Sequence, residues 1–303
     1  MRRGRKQVDG QEFEQLKAAW LAAIEVGCLA EAKSLIERGL AWAEEHGDRL
    51  RVDTAVCARS SIQIQLRQGE KEIGHLREIL LRSSDPANAR LAAYNLSIYY
   101  QYAENYTKSL FYARLALDRS QRLGRTDWLA SAHNQLGNAL LGANSVTEAC
   151  REYETALNLV VAESLAWRSS VLTNLGYCHL LEGRMQEGFA CLFRSVRLGI
   201  HRGNGFIRIL PHLDLCFAYL EIGRHDRARA HGEKALALAE SFGEADSIKN
   251  ALYLLGETAN LMGDQAQALE YFERLRRDFF PASPYLAQFL LAVDVRKIVN
   301  LHA

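Results

Sequence analysis

The chain has 303 residues, 49% of them apolar and 24% charged, with four prolines. Lys and Arg total 37 against 36 Asp and Glu, a formal net charge of +1, so no long-range field draws nucleic acid or an anionic membrane. Scarce proline and abundant Ala and Leu favour helices throughout. No apolar run approaches the ~20 residues that span a bilayer.

The first stretch, residues 1–10, opens Met1-Arg2-Arg3-Gly4-Arg5-Lys6 and reads as a basic, disordered tail. No apolar segment follows it, so a secretory leader is not expected, and the compartment predicted is the cytoplasm. The six cysteines (Cys28, Cys57, Cys150, Cys178, Cys191, Cys216) are scattered without a C-x-x-C pair, as reduced thiols of that compartment would be.

From residue 11 the chain repeats itself about every forty residues. Leu96-Ser97, Leu136-Gly137, Leu175-Gly176, Leu215-Cys216 and Leu255-Gly256 align, with second members 40, 39, 40 and 40 residues apart. Twelve residues later stand Ser109, Ala149, Gly188, Ala228 and Ala268. Extended backwards with Trp20 and Ile62 as counterparts of Gly137, the phasing adds Ala32 and Gly74. A fixed period of this length predicts stacked helical hairpins. The small residues let two antiparallel helices approach closely.

Seven residues after each first small position lie Gly27, Gly69, Gly183, Gly223 and Gly263, with Asn144 in the fourth repeat and Glu104-Asn105 in the third. Glycine and asparagine there predict the left-handed turn that ends a helix. Second helices follow with helical apolar spacing, as in Ala149, Tyr153, Ala156, Leu157 and Val160. The connectors Leu123–Asp127 and Phe242–Asp246 carry Gly to stop one helix and Asp to cap the next.

The arrangement resembles the tetratricopeptide repeat family, whose pattern is Leu-Gly in a first helix, Ala opening the second, then an aromatic and another Ala. Leu136-Gly137, Ala149, Tyr153 and Ala156 reproduce it; Leu255-Gly256, Ala268 and Phe272 do so with Leu275 in the last place. Repeats five and six are looser copies, since Leu192 and Gly232 replace the aromatic. A unit near 40 residues is similar to the longer repeats of bacterial peptide-sensing regulators and motor light chains. The resemblance implies an all-α fold, a right-handed α-α superhelical solenoid of about seven hairpins over residues 11–280. Residues 281–303 are then a C-terminal cap, with Leu286, Phe289, Leu290, Val293 and Ile298 on a single helix after Pro281-Ala-Ser-Pro284.

No chemistry-bearing motif stands out: no phosphate loop, no G-x-S-x-G, no H-E-x-x-H. The cluster Gly199-Ile-His-Arg-Gly203-Asn-Gly205 follows a helix, where a long turn is expected. None of the nine histidines forms an i,i+4 pair, and no catalytic residue, metal site or cofactor is expected.

In the family's geometry, first helices line a concave groove. The resemblance places Arg59 and Gln63 there from repeat two, and Asn95 and Gln101 from repeat three. Repeat four adds Asn134 and Asn138, repeat five Asn174 and Tyr177. Repeat seven adds Asn250, Tyr253, Glu257 and Asn260. Asparagine is a poor helix-interior residue, yet its amide carries the donor and acceptor that grip a peptide backbone. The lysine, asparagine and arginine clamp that some family members use for C-terminal carboxylates is incomplete, since Leu21 stands four residues after Lys17. The function expected is a non-enzymatic protein- or peptide-binding scaffold. The alternative is a sensor whose superhelix changes shape on binding a signalling peptide and acts through a second protein.

Overall fold

A computed structural model describes residues 2–161, 164–201 and 203–296, with side chains from Gly10 onward. Among these residues there are fifteen α-helices and no strand. The helices gather into two compact units that meet in sequence between Leu159 and Val160.

The N-terminal unit holds four hairpins: α1 (Arg2–Glu25) with α2 (Leu29–Glu45), α3 (Arg49–Gln65) with α4 (Ile73–Arg82), α5 (Pro86–Tyr102) with α6 (Tyr106–Leu123), and α7 (Thr126–Gly142) with α8 (Val146–Leu159). The C-terminal unit holds α9 (Leu165–Leu181) with α10 (Met185–His201), α11 (Ile209–Glu221) with α12 (His225–Phe242), and α13 (Ala245–Leu261) with α14 (Gln265–Phe279). A short α15 (Leu286–Ala292) then packs on α14 and α13. The seven hairpins expected from the period are present, in an all-α superhelical repeat fold.

The close approaches fall where the small residues predict them. A Cβ on Gly137 in α7 would lie 2.6 Å from the ring of Tyr153 in α8. The same logic runs in reverse in repeat six, where Cys216 stands at the Gly137 position and Gly232 at the Tyr153 position. A Cβ on Gly232 would lie 2.8 Å from Leu255 of α13 and 3.2 Å from Cys216 Sγ. Repeat one is a further variant: the indole of Trp20 is buried, and Gly39 on α2 makes room, since a Cβ there would sit 2.5 Å from the indole ring. In each of these hairpins a glycine stands where a neighbouring side chain already fills the seam, as close packing requires.

The second repeat corrects the sequence register. Gly69 opens a 3₁₀ turn (Gly69–Glu72), and the left-handed residue is Arg67, φ 59°. The first small position is therefore Ser60, seven residues earlier, and its partner twelve later is Glu72 instead of Gly74. Ser60 is buried and its hydroxyl donates to Glu72 Oε2 at 2.9 Å. In repeat three the same two positions are Ser97 and Ser109, bonded to each other's carbonyls at 3.0 and 2.9 Å. A hydrogen bond replaces the glycine–alanine contact, which is why a search for small residues slipped by two. With Ser60, the first spacings become 40 and 37 residues in place of 42 and 35.

Glu104 takes the left-handed turn of repeat three at φ 54°, leaving Asn105 to cap α6 by accepting from Lys108 N. Asp127 and Asp246 are not caps: both lie in the first turns of their helices, behind Arg125 and Glu244. Carboxylates there still meet the positive end of the helix dipole. The cap helix also ends earlier than its apolar spacing predicts. It stops at Ala292, Val293 takes an extended conformation, and residues 293–295 run on without helix. Ala287 and Leu290 are buried, Phe289 and Val293 are exposed, and Ile298 lies outside the described residues.

Candidate binding face and its polar residues

In the N-terminal unit the first-helix amides mostly bond neighbouring repeats. Asn95 is fully buried, and its amide donates to Cys57 O at 2.7 Å. Gln135 of α7 donates to Ser97 Oγ and Gln101 Oε1, both at 3.1 Å. Asn138 donates to Gln135 Oε1 and accepts from the Tyr153 hydroxyl at 2.7 Å. A helix-borne amide at a repeat seam has a carbonyl or amide of the adjacent first helix in reach, and a buried one must use it. Asn95 and Gln101 are thus held inside the stack and not presented to solvent, which corrects their placement as groove groups. Asn134 is buried as well. Arg59 is half-buried and reaches Glu72 Oε2 at 3.2 Å, while Gln63 is partly exposed.

The C-terminal unit differs. Asn174, Asn250 and Asn260 keep partial exposure, whereas Tyr177 is buried with its ring 6.1 Å from that of Phe217. Asn260 Nδ2 donates to Leu291 O at 3.2 Å, so this asparagine already holds a main-chain carbonyl. One and two turns back along α13, Glu257 is 3% exposed and Tyr253 6% exposed. Glu257 Oε1 and the Tyr253 hydroxyl are both buried and have no hydrogen-bond partner. Burial, reinforced by Asp294 and opposed by Arg296, pushes the Glu257 carboxyl up to about 7; burial and the Glu257 charge push the Tyr253 phenol up.

The residues after α15 run over this corner. Arg296 Nη1 lies 3.4 Å from Glu221 Oε1 on α11, and its Nε lies 3.8 Å from Glu257 Oε2 on α13. Asp294 orients the guanidinium, accepting from Arg296 Nη2 at 2.7 Å and from the Arg296 backbone N at 3.0 Å. Of the positions expected from repeat seven, Tyr253, Glu257 and Asn260 converge on this segment. The sequence offered no sign of Glu221 or Arg296, because neither belongs to the periodic pattern of first-helix amides.

A second cluster lies within the α11–α12 hairpin. His212 and His231 place their Nδ1 atoms 2.9 Å apart, with Tyr219 stacked on His231 at 5.5 Å between centroids. Burial holds both well below the ordinary histidine range: His212 down to about 3, helped by His231, Arg208 and Lys234, and His231 down to about 4, helped by Lys234 and Arg227. The pair is legible in the repeat register. Residues four before and fifteen after the first small position face each other, as His133 and Glu152 also do at 2.6 Å.

Hairpins with left-handed turns at fixed register, small seams and amides on first helices are the arrangement of tetratricopeptide repeats. Residues 208–277 match the model of the tetratricopeptide repeat, and the fold of the chain is of that kind. A zebrafish (Danio rerio) protein, outer dynein arm-docking complex subunit 4, is 22% identical over 151 residues, half of this chain and 30% of that protein. Among solved structures, the apo form of RapI superposes with a TM-score of 0.61 at 11% identity, over 97% of this chain and 85% of that one. A Rap protein complexed with competence and sporulation factor gives 0.58 at 13% identity, over 95% and 97%. These likenesses are of fold. No helix among the described residues is long and apolar enough to cross a membrane.

Proposed function

We propose that this chain is a non-enzymatic protein-interaction scaffold that holds an extended peptide segment against the first-helix face of its C-terminal unit. The observation that carries this reading is the hydrogen bond from Asn260 to the Leu291 carbonyl, beside the contacts of Arg296 with Glu221 and Glu257. Here an asparagine at an expected groove position grips main chain while acidic groups take a side chain, the two elements of extended-peptide recognition. Asn174 and Asn250 offer the same amide chemistry along the same set of first helices.

The test is an affinity capture from native cell extract with wild-type chain and with an Asn174→Ala, Asn250→Ala, Asn260→Ala variant of equal helicity. Partners retained by the wild type and lost from the variant support the face. Equal retention by both moves binding to the outer helices and defeats the reading. A sensor reading stands second, favoured by the docked segment itself, since a ligand that takes the face has to displace it. It predicts faster amide exchange in α15 when the captured partner is bound; unchanged exchange leaves the plain scaffold.

A further inference from the structure

The corner formed by Glu221, Tyr253 and Glu257 is more strongly built than a self-contact of an extended tail requires. Two polar side chains that are more than nine-tenths buried point unpartnered atoms at it, Glu257 Oε1 and the Tyr253 hydroxyl. An unmatched buried carboxylate oxygen is costly, and a guanidinium, with five donors in a planar fork, is the side chain best suited to satisfy it. Arg296 now occupies the corner only in part: it stands 3.4 and 3.8 Å from the two glutamates, while its closest partner is its own neighbour Asp294 at 2.7 Å. Its backbone is carried by the Asn260 bond to Leu291 and by the buried anchors Ala287 and Leu290 of α15.

We propose that the Glu221–Tyr253–Glu257 corner is a subsite for an arginine side chain of an extended partner peptide, and that residues 293–296 are a tethered occupant which the partner displaces. This rests on the peptide-binding reading above and adds to it the chemistry of the ligand and a competitor built into the chain. The tethered arginine needs no translational ordering, so it competes at a high effective concentration. It is also spent partly on Asp294, so a free peptide with an uncommitted arginine gains the bonds that Arg296 does not make.

The probe is a fluorescein-labelled hexapeptide, Leu-Ala-Val-Asn-Val-Arg, the sequence of residues 291–296 with asparagine in place of the aspartate so that its arginine is uncommitted, read by fluorescence anisotropy on the full chain. Arg296→Ala is expected to bind it at least tenfold more tightly than wild type. Replacing the peptide's arginine by alanine, or adding Glu257→Gln to Arg296→Ala, is expected to remove that gain. Equal affinity of wild type and Arg296→Ala, or equal affinity for the arginine and alanine peptides, overturns the proposal.

Folding of each variant is checked by circular dichroism. An arm that needs no variant uses wild type: excess unlabelled hexapeptide is expected to speed amide exchange in Leu286–Ala292, and the alanine peptide is not. Unchanged exchange with the arginine peptide counts against displacement. If these arms fail while the captured partner still depends on Asn174, Asn250 and Asn260, the corner is refuted and the binding face survives.

Discussion

The His212–His231 pair is the sharpest titration point in the C-terminal unit. Two facing Nδ1 atoms share one proton when both rings are neutral, one donating and one accepting. A further proton turns the acceptor into a donor, so that two N–H groups face each other and one positive charge is buried at the contact. Because both folded values, about 3 and about 4, lie below the ordinary 6.5, the unfolded chain binds more protons between them. The pair's contribution is therefore complete above pH 6.5 and is lost as pH falls toward 4, at about 1.4 kcal/mol for each unit of separation. Glu257 runs the opposite way: its raised value makes its contribution fall as pH rises from 4.5 toward 7. A difference between variants isolates the histidines. The wild-type advantage in Tm over His231→Gln is expected to shrink from pH 7.5 to pH 5; an advantage that holds or grows contradicts the assignment. At this scale the sequence was only partly legible. His212 and His231 are nineteen apart, a spacing that means contact only once the register of the hairpin is known. Asn95 looked like a groove group because its position was right, but burial at the seam with Cys57 decides its role.

At the scale of the element, each hairpin seam is packed closely enough that single glycines are fixed by their neighbours. Gly137 is kept small by the Tyr153 ring of its own hairpin, and Gly232 mainly by Leu255 of the next first helix. Gly137→Ala pushes a methyl into the Tyr153 ring and is expected to cost about 1–3 kcal/mol in a urea melt followed by circular dichroism. In a double-mutant cycle with Tyr153→Ala, where the methyl meets no ring, the two losses are expected to be less than additive. Independent, additive losses would contradict the volume argument. Hairpins were legible because small residues and turn residues recur at fixed offsets. Repeat two slipped because Ser60 and Glu72 meet through a hydrogen bond, so that a carboxylate stands where alanine was sought. The cap helix was overlong in the sequence reading, since apolar spacing continues through Val293 while Asp294 and Arg296 tie the backbone into a turn.

Over the whole chain, the repeat period made the fold readable almost throughout and the proposed binding face only in its periodic part. Asn260, Glu257 and Tyr253 lie on a first helix at expected positions, among the first-helix amides of several repeats that suggested a peptide ladder. Glu221 and the returning segment 293–296 break the period, and their meeting with α13 follows from how α15 packs. The central claim is that a partner segment lies on the first-helix face of the C-terminal unit. Site-specific photo-cross-linking tests it most directly, with a photoreactive residue in place of Asn250 on α13 or of Leu269, which is exposed on α14. The partner is expected to cross-link from position 250 and not from 269. Cross-linking from 269 with none from 250 would contradict the account.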